Sequence, residues 1–195
     1  MIRAAVTLAL ILPFAPARAQ EAIPTFQTCM DILIDRYEQS LIVNGHLPID
    51  DVVGGLWSSG DVYTCGGGGI VLCDRSGDTI PCQKDLAAEQ DAMTARILGD
   101  LPDPGTLDEG GEDWPRALYA QTRALAEGTS AGPDCAGTTE LMGAWCGANE
   151  ANARLRIAVL AWQIARYLGA APSGVESGWV DRPPPVRPRS RPKGP

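Results

Sequence analysis

Residues 138–167 read TTELMGAWCGANEANARLRIAVLAWQIARY. Leu141, Trp145, Ala148, Ala151, Leu155, Val159 and Trp162 recur every three or four residues, the spacing of one buried stripe on an α-helix. Thr138 or Thr139 supplies a hydroxyl able to cap the first free N–H groups, and the periodicity runs to about Tyr167. Glu150 and Arg154 stand at i,i+4, a pair worth ~0.2–0.5 kcal/mol on a helix surface. The most apolar part, 155–171, still carries Arg156, Gln163 and Arg166, too many polar groups for the ~20 apolar residues of a membrane span. A long helix this apolar needs partners, so the chain reads as mainly α.

Working outward, Phe26, Met30, Leu33 or Ile34, Tyr37 and Leu41 predict an N-terminal helix, capped at Thr28 and stopped by Asn44-Gly45. Lys84 to Leu98 predicts another, with Leu86, Met93, Ile97 and Leu98 apolar. A further helix starts at Asp113, carries Pro115 in its first turn, and sets Leu118, Tyr119, Thr122 and Leu125 on one side before Gly128. Residues 46–64 are broken by Pro48, Gly54, Gly55 and Gly60. Ile70-Val71-Leu72 and Thr79-Ile80 flank Arg75-Ser76-Gly77-Asp78, the pattern of a short β-hairpin. Gly66–Gly69 reads as a flexible loop between two cysteines, because no Lys-Ser or Lys-Thr follows to make a phosphate loop. The expected architecture is about four helices with a small disulfide-pinned β-hairpin.

The two ends differ from this body. Residues 1–19 have the form of a secretory signal: Arg3, an apolar run from Ala4 to Phe14, and Ala17-Arg18-Ala19 before Gln20. Residues 20–170 are expected to be one folded domain and 171–195 a disordered Pro/Arg-rich tail, in which Pro183-Pro184-Pro185-Val186-Arg187-Pro188 favours polyproline II. The last fifteen residues hold six prolines and five basic side chains. Gln20 to Val180 holds nine basic against twenty-three acidic side chains, a net charge of −14. That excludes nucleic-acid binding by the body, which would need a basic footprint. Only the tail is suited to touch anionic envelope components.

Cys29, Cys65, Cys73, Cys82, Cys135 and Cys146 are separated by 35, 7, 8, 52 and 10 residues. An even count behind an export signal predicts three disulfides in a periplasmic or secreted protein. The absence of Cys-x-x-Cys argues against a thioredoxin-like centre or a zinc ribbon, and the absence of Cys-x-x-Cys-His against haem attachment. Fifteen pairings are open. The spacing favours bridges within the Cys65–Cys82 cluster, and one from Cys135 to Cys146 or to the N-terminal helix.

Chemistry has few footholds. His46 is the single histidine, and Gly-x-Ser-x-Gly is missing, so a serine hydrolase is disfavoured. Asp108, Glu109, Glu112 and Asp113 form the densest acidic set, next to Trp114. They suit a helix N-terminus, a pair of glycosidase carboxylates or a hard cation. The Asp-x-Asp-x-Asp-Gly order of a calcium loop is missing, and no metal or cofactor is expected. Trp145 and Trp162 lie on the core stripe, whereas Trp57 and Trp114 lie near loops, where an indole can contact a partner.

Cys82 with the helix over 84–98, Ala120-Gln121 with Arg123, Cys135, and Cys146 followed by Asn149, Ala153 and Arg154 form a recurring order. In this order residues 73–160 resemble the lysozyme inhibitor LprI-like domain family, small helical exported domains containing cysteines. The resemblance implies binding and inhibition of lysozyme. A cationic lysozyme would be drawn to a −14 body. The expectation is therefore a non-enzymatic envelope protein that binds another macromolecule, with Asp108, Glu109, Glu112, Asp113 and Trp114 as the binding group. The alternatives are a cell-wall glycan or peptide hydrolase using the same carboxylates, and a structural envelope module held through its tail.

Overall fold

The computed structural model describes residues 22–48, 51, 59–107, 113–128 and 135–182. Five α-helices and no strand occur among them: α1 (Phe26–Asn44), α2 (Ser59–Asp74), α3 (Thr79–Asp100), α4 (Asp113–Gly128) and α5 (Glu140–Tyr167). A 3-10 turn at Pro104–Thr106 precedes α4. No helix of the described residues is long and apolar enough to cross a membrane. The signal-like segment and residues 183–195 lie outside them.

Helix α5 is the centre. The Thr139 hydroxyl accepts from the Met142 N–H at 3.3 Å, and the helix runs to Tyr167 as its periodicity predicts. Ala148, Ala151, Leu155, Val159 and Trp162 are fully buried. The stripe does not extend to the first turns, where Leu141 and Trp145 are 49% and 40% exposed. Arg154 turns away from Glu150 and holds Asp91 of α3 through two bonds of 3.0 Å. Helix α3 makes the largest interface with α5, followed by α2 and α4.

The expected hairpin is instead a helical hairpin. Ile70–Leu72 belong to α2, Thr79-Ile80 open α3, and Arg75–Asp78 is the turn between them. Short apolar runs beside a turn look the same in either case, and tertiary packing decides. The Gly66–Gly69 run is likewise helix and not loop. A Cβ at Gly66 would overlap the Asn152 amide of α5, and one at Gly69 would press on Leu86 of α3 at 3.0 Å. These two glycines are close-approach points, and the ~1 kcal/mol helix cost of each is offset by the packing they permit. Asn152 is fully buried there and donates to the Tyr63 carbonyl at 3.2 Å.

Helix α1 begins earlier than expected, capped by Thr25, whose hydroxyl accepts from the Thr28 N–H. It buries the predicted Phe26, Met30, Leu33, Ile34 and Tyr37. Helix α3 extends beyond 84–98 at both ends, and its inner face includes the fully buried Gln83 and Gln90. On α4 the inner face falls on Pro115, Tyr119, Thr122 and Ala126, leaving Leu125 52% exposed. Tyr119 and Arg123 both donate to the Pro102 carbonyl, which ties α4 to the end of α3.

The disulfides are Cys29–Cys65, Cys73–Cys82 and Cys135–Cys146. Cys65 therefore reaches α1 and does not pair within its own cluster, because α1 and α2 lie side by side. Closing loops of 36, 9 and 11 residues restricts the unfolded chain by about 4, 2.5 and 3 kcal/mol in the chain-entropy account.

Order does not fade at Ala170. Ala171, Trp179 and Val180 are buried with the core, so the expected tail is a packed strap as far as Arg182. The Trp162 ring meets Trp179 edge-on at 5.0 Å and Tyr37 at 5.3 Å, and its indole N–H donates to the Pro172 carbonyl. Arg166 forks onto Glu38 at 3.0 and 2.8 Å and also donates to the Ala171 carbonyl. Strap and α1 are thus fastened to the end of α5 together.

Two measurements check this packing. Gly66→Ala is expected to lower the free energy of unfolding by about 1–3 kcal/mol. Gly67→Ala, which meets nothing within 4 Å, should raise it by about 0.5–1 kcal/mol. Trp179→Ala should cost about 3–5 kcal/mol in urea unfolding. A loss below about 1 kcal/mol would mean that the strap is not part of the cooperative unit.

Candidate binding surfaces

Of the acidic group read from the sequence, Asp108, Glu109 and Glu112 lie outside the described residues. Asp113 opens α4 with its side chain 97% exposed and pairs with Arg116 one turn on. Trp114 beside it is 41% exposed. These two stand at the surface. Trp57 is not among the described residues. His46 is exposed just past the end of α1, the position of an ordinary surface histidine.

The cysteines offer no redox or metal chemistry. All six are in disulfides. The Cys135 and Cys146 sulfurs and a Glu150 oxygen fall within 4.8 Å of one another, but both sulfurs are spent on their bridge.

A concavity lies where the start of α1, the end of α2 and the first half of α3 meet. It is a groove of about 510 Å³. Its floor is apolar: Phe26, Leu72, Pro81, Leu86 and the Cys73–Cys82 bridge. Gly69 keeps the floor open, since a side chain there would strike Leu86. Asp78, Asp85 and Glu89 line the same groove, and among the described residues no Lys, Arg or His does. Asp85 and Glu89 stand at i,i+4 on α3, a like-charge spacing that costs a few tenths of a kcal/mol, ~0.2–0.5. Desolvation beside the groove wall raises the Glu89 carboxyl above its ordinary value, although the residue as a whole is exposed. The charge of a cation brought into the groove offsets both effects. Sequence reasoning missed this site. The Asp85 and Glu89 spacing was visible on a predicted helix, but Phe26 joins them only through the tertiary fold.

A second, smaller concavity of about 250 Å³ lies between α1 and the strap. Asp31, Asp35 and Glu38 face it from α1, and Glu176, Asp181 and Arg182 from the strap. It is largely self-satisfied. Glu38 holds Arg166, the Asp31 carboxylate accepts from the Asp181 N–H at 3.0 Å, and Glu176 accepts from the Ser173 N–H and hydroxyl at 2.9 and 2.8 Å. The Ser173 bonds draw the Glu176 carboxyl below its ordinary value. A carboxyl lowered in the folded state stabilises above its unfolded pKa, and that contribution is lost as pH falls through the folded one. Ser173→Ala is expected to bring the Glu176 carboxyl back towards the ordinary range in an NMR titration, and to reduce the acid-side dependence of stability. An unmoved Glu176 titration would show that the Ser173 hydroxyl contributes nothing.

No protein-family model, curated protein or solved structure matches the chain.

Proposed function

We propose that the chain is an exported, non-enzymatic protein that binds a cationic macromolecule, with lysozyme as the first partner to test. The observation that carries this reading is the groove at the meeting of α1, α2 and α3. It has an apolar floor and three carboxylates, and no cation lines it among the described residues. Such a surface takes a segment whose aliphatic or aromatic side chains cover the floor while Lys or Arg meets the rim. The charge of −14 over 20–180 adds long-range attraction and a faster encounter. Export agrees with the signal-like residues 1–19 and with the three disulfides. The resemblance of residues 73–160 to lysozyme inhibitor LprI-like domains supplies the name of the partner. Asp113 and Trp114 form a second exposed patch for the same partner.

The test is binding and inhibition of a cationic lysozyme by the oxidised chain from Gln20, at low and at physiological ionic strength. Tight, salt-weakened binding with loss of lysis is expected. Asp85→Asn with Glu89→Gln should weaken it by about fivefold, two exposed ion pairs at ~0.5 kcal/mol each. Asp113→Ala with Trp114→Ala reports the second patch separately. Absence of binding at both salts would remove lysozyme as the partner. Turnover of cell-wall glycan abolished by a single carboxylate change would replace the binding reading by a hydrolase.

A further inference from the structure

We propose that the chain's own C-terminal segment, residues 183–195, docks in the groove between α1, α2 and α3. Its prolines and Val186 would cover the apolar floor and its arginines would face Asp78, Asp85 and Glu89. The place where the strap ends, the reach of the segment and its charge all favour this docking, whether or not lysozyme is a partner.

The strap delivers the chain next to the groove. Gln27 donates to the Trp179 carbonyl, and the Asp181 N–H is bound to Asp31. Gln27 is the neighbour of Phe26, which lines the groove. From Asp31 back to Phe26 is five helical residues, about 7.5 Å along the axis. The thirteen residues beyond Arg182 span about 40 Å as polyproline II, at ~3.1 Å each. That is enough to pass around α1, whose diameter with side chains is about 10–12 Å.

The chemistry is complementary. Residues 183–195 carry Arg187, Arg189, Arg191 and Lys193 and no Asp or Glu, whereas the groove carries three carboxylates and, among the described residues, no base. With three residues per turn, polyproline II sets Pro185 and Pro188 on one edge and Val186 and Arg189 on the next. A proline-rich segment loses little entropy on docking, because it is already restricted. The Asp78 carboxylate is not used to cap α3 and remains available to a guanidinium. The tethered segment meets its groove at an effective concentration of the order of 1 mM. Even modest affinity therefore keeps the groove occupied, and any cationic partner must displace the tail first.

The probe is a synthetic peptide of residues 183–195, titrated by fluorescence anisotropy into two oxidised chains from Gln20, one ending at Arg182 and one full-length. The shorter chain should bind it with Kd at or below about 1 mM. The full-length chain should bind it at least about twofold more weakly, because the tethered segment competes for the groove at an effective concentration near 1 mM. Asp85→Asn with Glu89→Gln, two exposed positions that leave the core untouched, should weaken binding to the shorter chain about fivefold. Unchanged circular dichroism melting confirms that the variant folds. Kd above about 10 mM, equal affinity for both chains, or indifference to the double substitution overturns the proposal. So does equal binding of a peptide with the same charges and glycine in place of proline. Concentration-dependent dimers that vanish on removal of 183–195 would assign the tail to a second copy and overturn docking within one chain.

Discussion

Everything in this fold follows from the need to cover α5 on all sides. Five consecutive residues, Ala161 to Ala165, are buried, and five residues exceed one 3.6-residue turn. No face of the helix is left for water at that level. Most surface helices bury one stripe, and one that is enclosed right round requires neighbours in every direction. Helices α2, α3 and α4 supply three of them. Tyr37 of α1 and Trp179 of the strap close the remainder around Trp162. The alanines of α5 let backbones approach closely, and Gly66 does the same from α2 against Asn152. The strap is therefore a structural requirement of α5, since without it the Trp162 ring would face solvent.

How much of this was legible in the sequence depended on whether the signal was periodic. Helix α5 was readable because its stripe repeats over many turns and a threonine caps it. Helix α1 was readable for the same reason, apart from a cap one turn earlier. Helix α2 was not, because its four consecutive glycines are breakers by propensity, and two of them, Gly66 and Gly69, become packing seams only when α5 and α3 lie against them. Val62, Cys65, Ile70 and Cys73 are buried along it. That helical spacing was present, but the glycines outweighed it. Trp179 stands alone among glycines and prolines and has no period at all, so its place in the core could not be read. The groove shows the same limit. Asp85 and Glu89 share a helix face that periodicity reveals, while Phe26 comes from about sixty residues earlier in the chain.

The covalent links fall where the packing is thinnest. Helices α1 and α2 have far less interface with each other than α3 has with α5, and Cys29–Cys65 joins them. Cys73–Cys82 joins α2 to α3 across the tight turn, and Cys135–Cys146 pins the chain entering α5 to that helix. Helix α4 is held differently, by its buried face and by two donors on one carbonyl, that of Pro102. Helix α4 is thus the one helix of the five that no disulfide holds, whereas α1, α2 and α3 are joined in series.

This division bears on where binding belongs. The three elements that form the groove are the three joined in series by Cys29–Cys65 and Cys73–Cys82, and the second bridge is part of the groove floor. A surface held in this way loses little conformational entropy when something settles on it, so more of the contact energy appears as affinity. The helical spacing of α3 keeps Asp85 and Glu89 neighbours in the absence of a ligand, although their charges repel. A cation set against them offsets that repulsion. The Asp113 and Trp114 patch sits on α4, which no disulfide joins to its neighbours. Under the proposed binding reading, the disulfide-restrained groove would lose less entropy on contact than the α4 patch, even though the tryptophan is the more conspicuous residue in the sequence.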